Sequence, residues 1–180
     1  MDKLTILVCG AYGQAGVAVI EDLIKNTDYN IIASGRSIDK LNALKKQYNS
    51  SSLSTAIRDV KSKKDIKKYC SVSDVLVNCI GPYLKTGIMI AKIALETKTH
   101  YLDIAAEQEH YKRFQNLSDL AKKNGVALGT GFGFYPGLSG LLLLKMKQLF
   151  PEADSCLMSL FQGRPTNKNS GAASYIGAVL

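Results

Sequence analysis

The 180-residue chain has no tryptophan, only four prolines, four cysteines and two histidines, and its acids are outnumbered, 15 Asp and Glu against 23 Lys and Arg. Cys9, Cys70, Cys79 and Cys156 show no CxxC spacing, and Cys9 and Cys79 each close an apolar run, where cysteine acts as a small hydrophobe. No disulfide framework is expected, and the default setting is a reducing cytoplasm. His100 and His110 have no cysteine or carboxylate at metal-ligand spacing, so no metal site is expected. Long apolar runs are also missing. The stretches 6–8 and 138–144 fall well short of the roughly 18 residues of a membrane span, and the N-terminal stretch is too brief for a secretory signal. Disorder is excluded by the composition, which is 46% hydrophobic.

The excess of positive charge is half local. Residues 58–68 hold Arg58, Lys61, Lys63, Lys64, Lys67 and Lys68 against Asp59 and Asp65, which supplies +4 of the net +8. Nucleic-acid binding is not expected of this cluster, because only Tyr69 adjoins it and no recognised binding motif contains it. A solvated helix near an anionic cofactor is the simpler reading.

The chain then alternates between short apolar runs and helical spacing. Residues 5–9 read as a strand, 14–25 as a helix and 29–34 as a second strand, which makes one βαβ unit. Ser37 can cap a helix carrying Leu41, Leu44 and Tyr48, with Asp39 in its first turn where the helix dipole favours an anion. A third strand is expected over 53–57, a polar helix over 61–69 and a central strand, buried on both faces, over 74–80. Helix 86–96, apolar almost all round, must be covered on more than one side. Strand 100–103, helix 108–123 with Tyr111, Phe114, Leu117 and Leu120 on one face, a stop at Gly125 and strand 126–129 complete six strands. Beyond them come a glycine-rich turn over 129–137, a leucine-rich helix to about Leu149, a half-buried alternating strand over 155–161 and a polar loop over 163–170. The order argues an α/β fold with a doubly wound, mostly parallel sheet whose ligands bind at the carboxyl ends of the strands.

Gly10-Ala11-Tyr12-Gly13-Gln14-Ala15-Gly16 lies directly between the first strand and the first helix. A tight turn suits Gly10, a side chain at Gly13 would hold a pyrophosphate away, and Gly16 lets the helix approach the strand. The helix start offers free N–H groups, so Gly10, Tyr12, Gly13, Gln14, Ala15 and Gly16 are candidate dinucleotide ligands. The spacing is GxxGxxG, one residue longer than the strict dinucleotide pattern. At the end of the second strand, Gly35-Arg36-Ser37 replaces the acid that would bond a ribose 2′-hydroxyl. Arg36 can pair with a 2′-phosphate and Ser37 and Lys40 can add donors, so NADP is expected over NAD. Asp59 can border the adenine or cap a helix, and Asn78, Cys79, Ile80, Gly81 and Pro82 can run beside the nicotinamide ribose. Tyr83, Asp103 and Glu107 fall on the substrate side, where a carboxylate can bind an amine or take a proton and where it can equally cap a helix.

Three blocks carry a resemblance. Gly81-Pro82-Tyr83-Leu84-Lys85-Thr86-Gly87, His100-Tyr101-Leu102-Asp103-Ile104-Ala105-Ala106-Glu107 and Gly131-Phe132-Gly133-Phe134-Tyr135-Pro136-Gly137-Leu138-Ser139 resemble, in order and spacing, the saccharopine dehydrogenase family. Gly35-Arg36 followed by Lys40-Leu41 fits the same pattern, and the resemblance covers most of residues 3–140. It implies a Rossmann-type NAD(P)-binding domain over 1–136 and the start of a second, α+β domain for substrate and dimer contacts over 137–180, the chain being a fragment. The family's acidic block commonly ends in Gly-Glu where this chain has Ala106-Glu107. The expected activity is hydride transfer to or from a carbonyl, imine or enoyl carbon of a small-molecule substrate, in a homodimer, with Tyr83, Asp103 and Glu107 as catalytic candidates. The alternative is a dinucleotide-binding sensor or scaffold without turnover.

Overall fold

Thr5–Cys9 is too apolar to leave either of its faces in water, and it forms β1 near the middle of a six-stranded sheet. The computed structural model describes residues 3–57 and 62–159. After β1 come α1 (Gln14–Asn26), β2 (Asn30–Gly35), α2 (Ile38–Tyr48), β3 (Leu53–Ile57), α3 (Lys63–Cys70) and β4 (Val75–Asn78). The second half holds α4 (Tyr83–Glu96), β5 (His100–Asp103), α5 (Gln108–Gln115), α6 (Ser118–Asn124) and β6 (Leu128–Gly129), followed by a kinked turn, Phe134–Leu138, in which Tyr135 is extended, and α7 (Ser139–Leu149). The strand order is β3-β2-β1-β4-β5-β6 and every pairing is parallel. The order reverses between β1 and β4, which opens a crevice at their carboxyl ends.

Alternation along β1 assigns its residues to two cores. Leu7 and Cys9 join Leu76, Ile90, Ala94, Tyr101 and Phe114 on the face covered by α3 to α6. Ile6 and Val8 join Ile20, Ile31, Leu41 and Leu53 on the face covered by α1 and α2. Helix α4, apolar almost all round, is packed against α3, α5, α6 and β5, and so meets the expectation that it be covered on several sides. Ser37 caps α2 by accepting from the Lys40 N–H at 3.4 Å, and Gly125 ends α6 with a φ of +67°, both as expected.

Several expectations are corrected. The helix over 108–123 is two helices, because Asn116, Leu117 and Ser118 include two poor helix formers and the chain bends there before α6 begins. Its buried row is His110, Phe114, Leu117 and Ala121, while Tyr111 and Leu120 are exposed. Helix α4 starts at Tyr83 instead of 86, and β4 stops at Asn78, whose side-chain oxygen takes the Ile80 N–H and turns the chain out of the sheet. Residues 155–159 form no strand, so the alternating pattern there does not mark one; Phe161 and the polar loop over 163–170 lie outside the described residues. Asp59 does too, and the cap of α3 is Ser62, which accepts from the Asp65 N–H.

Candidate functional site

The loop after β1 is built by close approach. Gly10 has a φ of +79°, a conformation that glycine adopts without strain. Its N–H and that of Ala11 both donate to the Ser34 carbonyl, at 3.1 and 3.2 Å, which ties the loop to the end of β2. A Cβ at Gly10 would lie 3.0 Å from the Cys79 carbonyl oxygen, and one at Gly16 would strike the Gly10 carbonyl. Gly13 is different in kind. It is exposed, caps α1 with no side chain, and an added Cβ would meet only the Gly10 oxygen at 3.3 Å. The first N–H groups of α1 have no partner within the helix and its first turn contains no acid, so a positive helix end faces the crevice uncompensated.

Across the loop lies the end of β2, with Gly35 buried, Arg36 exposed and Ser37 half-buried. The Tyr12 hydroxyl oxygen accepts from the Arg36 N–H at 3.0 Å and the Ser37 N–H at 3.3 Å, and the Lys40 ammonium stands 5.4 Å from the centre of the Tyr12 ring. On the other side, Cys79 and Ile80 are half-buried against the glycine loop and Gly81 is exposed. Burial pushes the Cys79 thiol up to about 12, so it stays protonated and acts as packing.

Behind the crevice sits a closed polar network. The Asn78 amide donates to the Tyr101 hydroxyl at 3.0 Å, and Tyr101 in turn donates to Asp103 Oδ2 at 2.8 Å. His110 Nε2 lies 2.9 Å from the same oxygen. Asp103 Oδ1 accepts from Thr130 Oγ1 at 2.6 Å, Ala105 N–H at 3.1 Å and Gly131 N–H at 3.2 Å. Burial opposes ionisation of Asp103, but the bonds from His110, Thr130, Ala105 and Tyr101 outweigh it and hold the carboxyl below its ordinary range. Five donors fill a group with about four acceptor positions, so none is left for a substrate.

Tyr83 is buried, its hydroxyl donating to the Asn78 carbonyl at 3.0 Å, and burial drives that phenol far above its usual range. Glu107 accepts from the Tyr83 N–H at 3.0 Å and the Ala106 N–H at 3.1 Å, so it caps α4, the helix before it in sequence. The structure thus brings Gly10, Tyr12, Gly13, Gln14, Ala15, Gly16, Arg36, Ser37, Cys79, Ile80 and Gly81 around one crevice, while Tyr83, Asp103 and Glu107 form the wall behind its β4–β5 end. Sequence reasoning missed His110 and Thr130, and it set Asn78 beside the nicotinamide ribose without its part in this network. The one signal for His110 was its place four residues before Phe114. The group of Asp103, Glu107, His110 and the cysteines holds no cluster fit for a metal among the described residues.

The cradle fits a dinucleotide. An open glycine and an uncompensated helix start lie beside the exposed Arg36 at the end of β2, at the edge of the switch-point crevice, where a side chain at Gly13 would fill the space a phosphate needs.

Comparison with known proteins agrees with this geometry. A lipid droplet localized protein of Caenorhabditis elegans is 24% identical over 74% of this chain and 34% of its own length. A probable mitochondrial saccharopine dehydrogenase-like oxidoreductase of Arabidopsis thaliana is 22% identical over 97% of this chain and 42% of its own length. The apo saccharopine dehydrogenase (L-Glu forming) of Saccharomyces cerevisiae superposes with a TM-score of 0.68 at 23% identity, over 84% of this chain and 32% of that one, a likeness of fold. The chain therefore spans well under half the length of these relatives, and their names, one mitochondrial and one of the lipid droplet, lend no support to the cytoplasmic expectation. Residues 6–128 match the sequence profile of the saccharopine dehydrogenase NADP binding domain, and the chain belongs to that family.

Proposed function

We propose that this chain is the NADP(H)-binding part of an oxidoreductase that moves a hydride to or from a carbonyl, imine or enoyl carbon of a small molecule. The observation that carries the reading is the pairing of Gly13, open at the start of α1, with Arg36, exposed at the end of β2. Bound there, the nicotinamide cofactor supplies the hydride chemistry. Gly10 and Gly16 close the loop so that the N–H groups of Gln14 and Ala15 meet the pyrophosphate, and Arg36 and Ser37 take the 2′-phosphate. Cys79, Ile80 and Gly81 border the nicotinamide ribose, and Asp59 is assigned to the adenine side.

Tyr83, Asp103 and Glu107 act here as positioning residues. Glu107 holds the start of α4 through the Tyr83 N–H, and Asp103 ties β5 to α5 and to the turn at Thr130. Residues 137–180 are assigned to the opening of a second domain, with homodimer contacts on that side. Supporting this, α7 exposes Leu141 and Leu144 at 65% each, which a lone surface helix rarely does.

Calorimetric titration of the chain with NADPH and NADH, repeated for Arg36→Ala, tests the assignment. NADPH binding lost in the variant, with NADH affinity barely changed, is the expected result. Absence of binding by either dinucleotide to a longer protein that includes the second domain would overturn it. Binding without turnover in that longer protein would favour the sensor reading instead.

A further inference from the structure

We propose that Tyr12 is the residue that sets the preference for a 2′-phosphate, by bracing the backbone turn that carries Arg36 and by holding the Lys40 ammonium on its ring. The proposal rests on the NADP reading above. Three contacts converge on this one side chain. Its hydroxyl oxygen accepts from the backbone N–H groups of both Arg36 and Ser37, at 3.0 and 3.3 Å, across 24 and 25 residues of sequence. Its ring packs on Gly35, where a Cβ would collide with the ring edge, so only glycine admits the ring at this point. The ring face carries the Lys40 ammonium at 5.4 Å from the centroid, a distance at which a cation is attracted by the π-system.

Each contact acts on a different part of the 2′-phosphate end. The two hydrogen bonds fix the backbone of the turn from which the Arg36 guanidinium springs, so less freedom is lost when a phosphate arrives. The glycine at 35 brings that turn against the phosphate loop. The ring face holds the Lys40 ammonium, in the first turn of α2, over the same tyrosine whose hydroxyl is bonded to the Arg36 backbone, so a second positive charge is kept on this side of the loop. No anion is paired with Arg36 or Lys40 among the described residues, where the ion pairs are Lys3 with Asp28, Lys25 with Glu21, Lys67 with Glu96, His110 with Asp103 and Arg113 with Glu109. A dinucleotide that lacks the 2′-phosphate gains nothing from either cation. Tyr12 therefore acts through Arg36 and Lys40, as a positioning residue for specificity, while the pyrophosphate is bound by the loop backbone.

The test is calorimetric titration with NADPH and NADH of the wild-type chain, Tyr12→Phe, Lys40→Met and Arg36→Ala. Tyr12→Phe keeps the ring and removes only the acceptor of two hydrogen bonds, so NADPH binding is expected to weaken roughly fivefold with NADH held within about twofold. Lys40→Met is expected to weaken NADPH about threefold and to leave NADH unchanged. If both variants keep the wild-type ratio of NADPH to NADH affinity while Arg36→Ala collapses it, Arg36 works alone and the proposal is overturned. An equal loss for both dinucleotides in Tyr12→Phe also overturns it, since Tyr12 would then brace the whole loop. Should Tyr12→Phe fail to fold, an unchanged ratio in Lys40→Met is decisive against it. A wild-type chain with no preference, unaltered by Arg36→Ala, marks failure of the 2′-phosphate reading itself, a pattern distinct from the others.

Discussion

His110 Nε2 sits 2.9 Å from Asp103 Oδ2 with both side chains fully buried, and the opposite ring nitrogen, Nδ1, has no hydrogen-bond partner among the described residues. Because the carboxyl is held ionised, Nε2 faces it as the donor. The pair therefore joins an imidazole to a carboxylate that four other donors also serve. Such a group loses much when one member is changed, because the partners stay buried without it.

Asp103→Asn is accordingly expected to destabilise the chain by about 3–5 kcal/mol, since the amide presents donors to atoms that already donate. Urea unfolding at pH 7 measures it, and a loss below about 1 kcal/mol would show that the network is dispensable. The pH dependence follows from the direction of the shift. The folded-state pKa of Asp103 is lowered, so its contribution is present above the unfolded value, near 3.8, and is lost as pH falls through the folded one. The wild-type chain loses this part of its stability only on acidification below about pH 4, and Asp103→Asn removes that part of the acid slope.

Gly87 faces the same imidazole. A Cβ there would lie 3.0 Å from Nδ1 and closer still to the carbon between the two nitrogens. Alanine gains about 1 kcal/mol of helix propensity over glycine in the middle of α4, but overpacking a closed site costs about 1–3 kcal/mol, and the imidazole is pinned by Asp103 and cannot retreat. Gly87→Ala is thus expected to be neutral to destabilising in the wild type. In a His110→Ala background the clash is gone and the same change is expected to stabilise, a double-mutant cycle that thermal unfolding can read.

How much was legible in the sequence depends on whether a signal was local. The strands were readable because residues such as Leu7, Val8 and Leu76 are buried on both faces of a parallel sheet and leave unbroken apolar runs. The glycine loop was readable because Gly10, Gly13 and Gly16 lie close together in sequence and follow a strand. The polar network was not, since Asp103 meets Thr130 across 27 residues and Tyr101 meets Asn78 across 23, and nothing in either neighbourhood announces the partner. Asp103 and Glu107 stood out as carboxylates at the carboxyl end of a strand, yet which groups they hold was settled by contacts that sequence spacing does not encode. The single helix over 108–123 failed on a weaker ground, for the inward row His110, Phe114, Leu117, Ala121 keeps helical spacing through the bend.

Helix α7 makes a prediction about stability by its exposure. Leu141, Leu144 and Leu149 are 65%, 65% and 59% exposed, so in this chain they bury little area. Replacing Leu141 and Leu144 together by glutamate is expected to change the free energy of unfolding of the monomer, measured at concentrations too low for self-association, by no more than about 1 kcal/mol, where two buried leucines would cost several times that. Sedimentation of the same variant checks the homodimer proposal, which expects the wild-type chain to self-associate through this face and the variant to be monomeric.

The loop glycines separate a ligand role from a packing role. At Gly16 an added Cβ would run into the Gly10 carbonyl, and the loop and α1 would have to move apart. Gly16→Ala is therefore expected to lower stability by about 1–3 kcal/mol and to lose dinucleotide binding with it. At Gly13 the added Cβ meets one backbone oxygen at 3.3 Å and is otherwise open, in a backbone conformation of φ −76° and ψ 162° that alanine adopts freely. Gly13→Ala should then leave the melting temperature within a degree or two, about the effect of a surface change. Its methyl would stand where the pyrophosphate must approach the first N–H groups of α1, so affinity for NADPH and NADH alike is expected to fall on the order of tenfold, equivalent to about 1.4 kcal/mol. A variant that folds as wild type and binds both dinucleotides as wild type would mean that the open space above Gly13 is not where phosphate lies, and the anion would have to be sought elsewhere along the crevice.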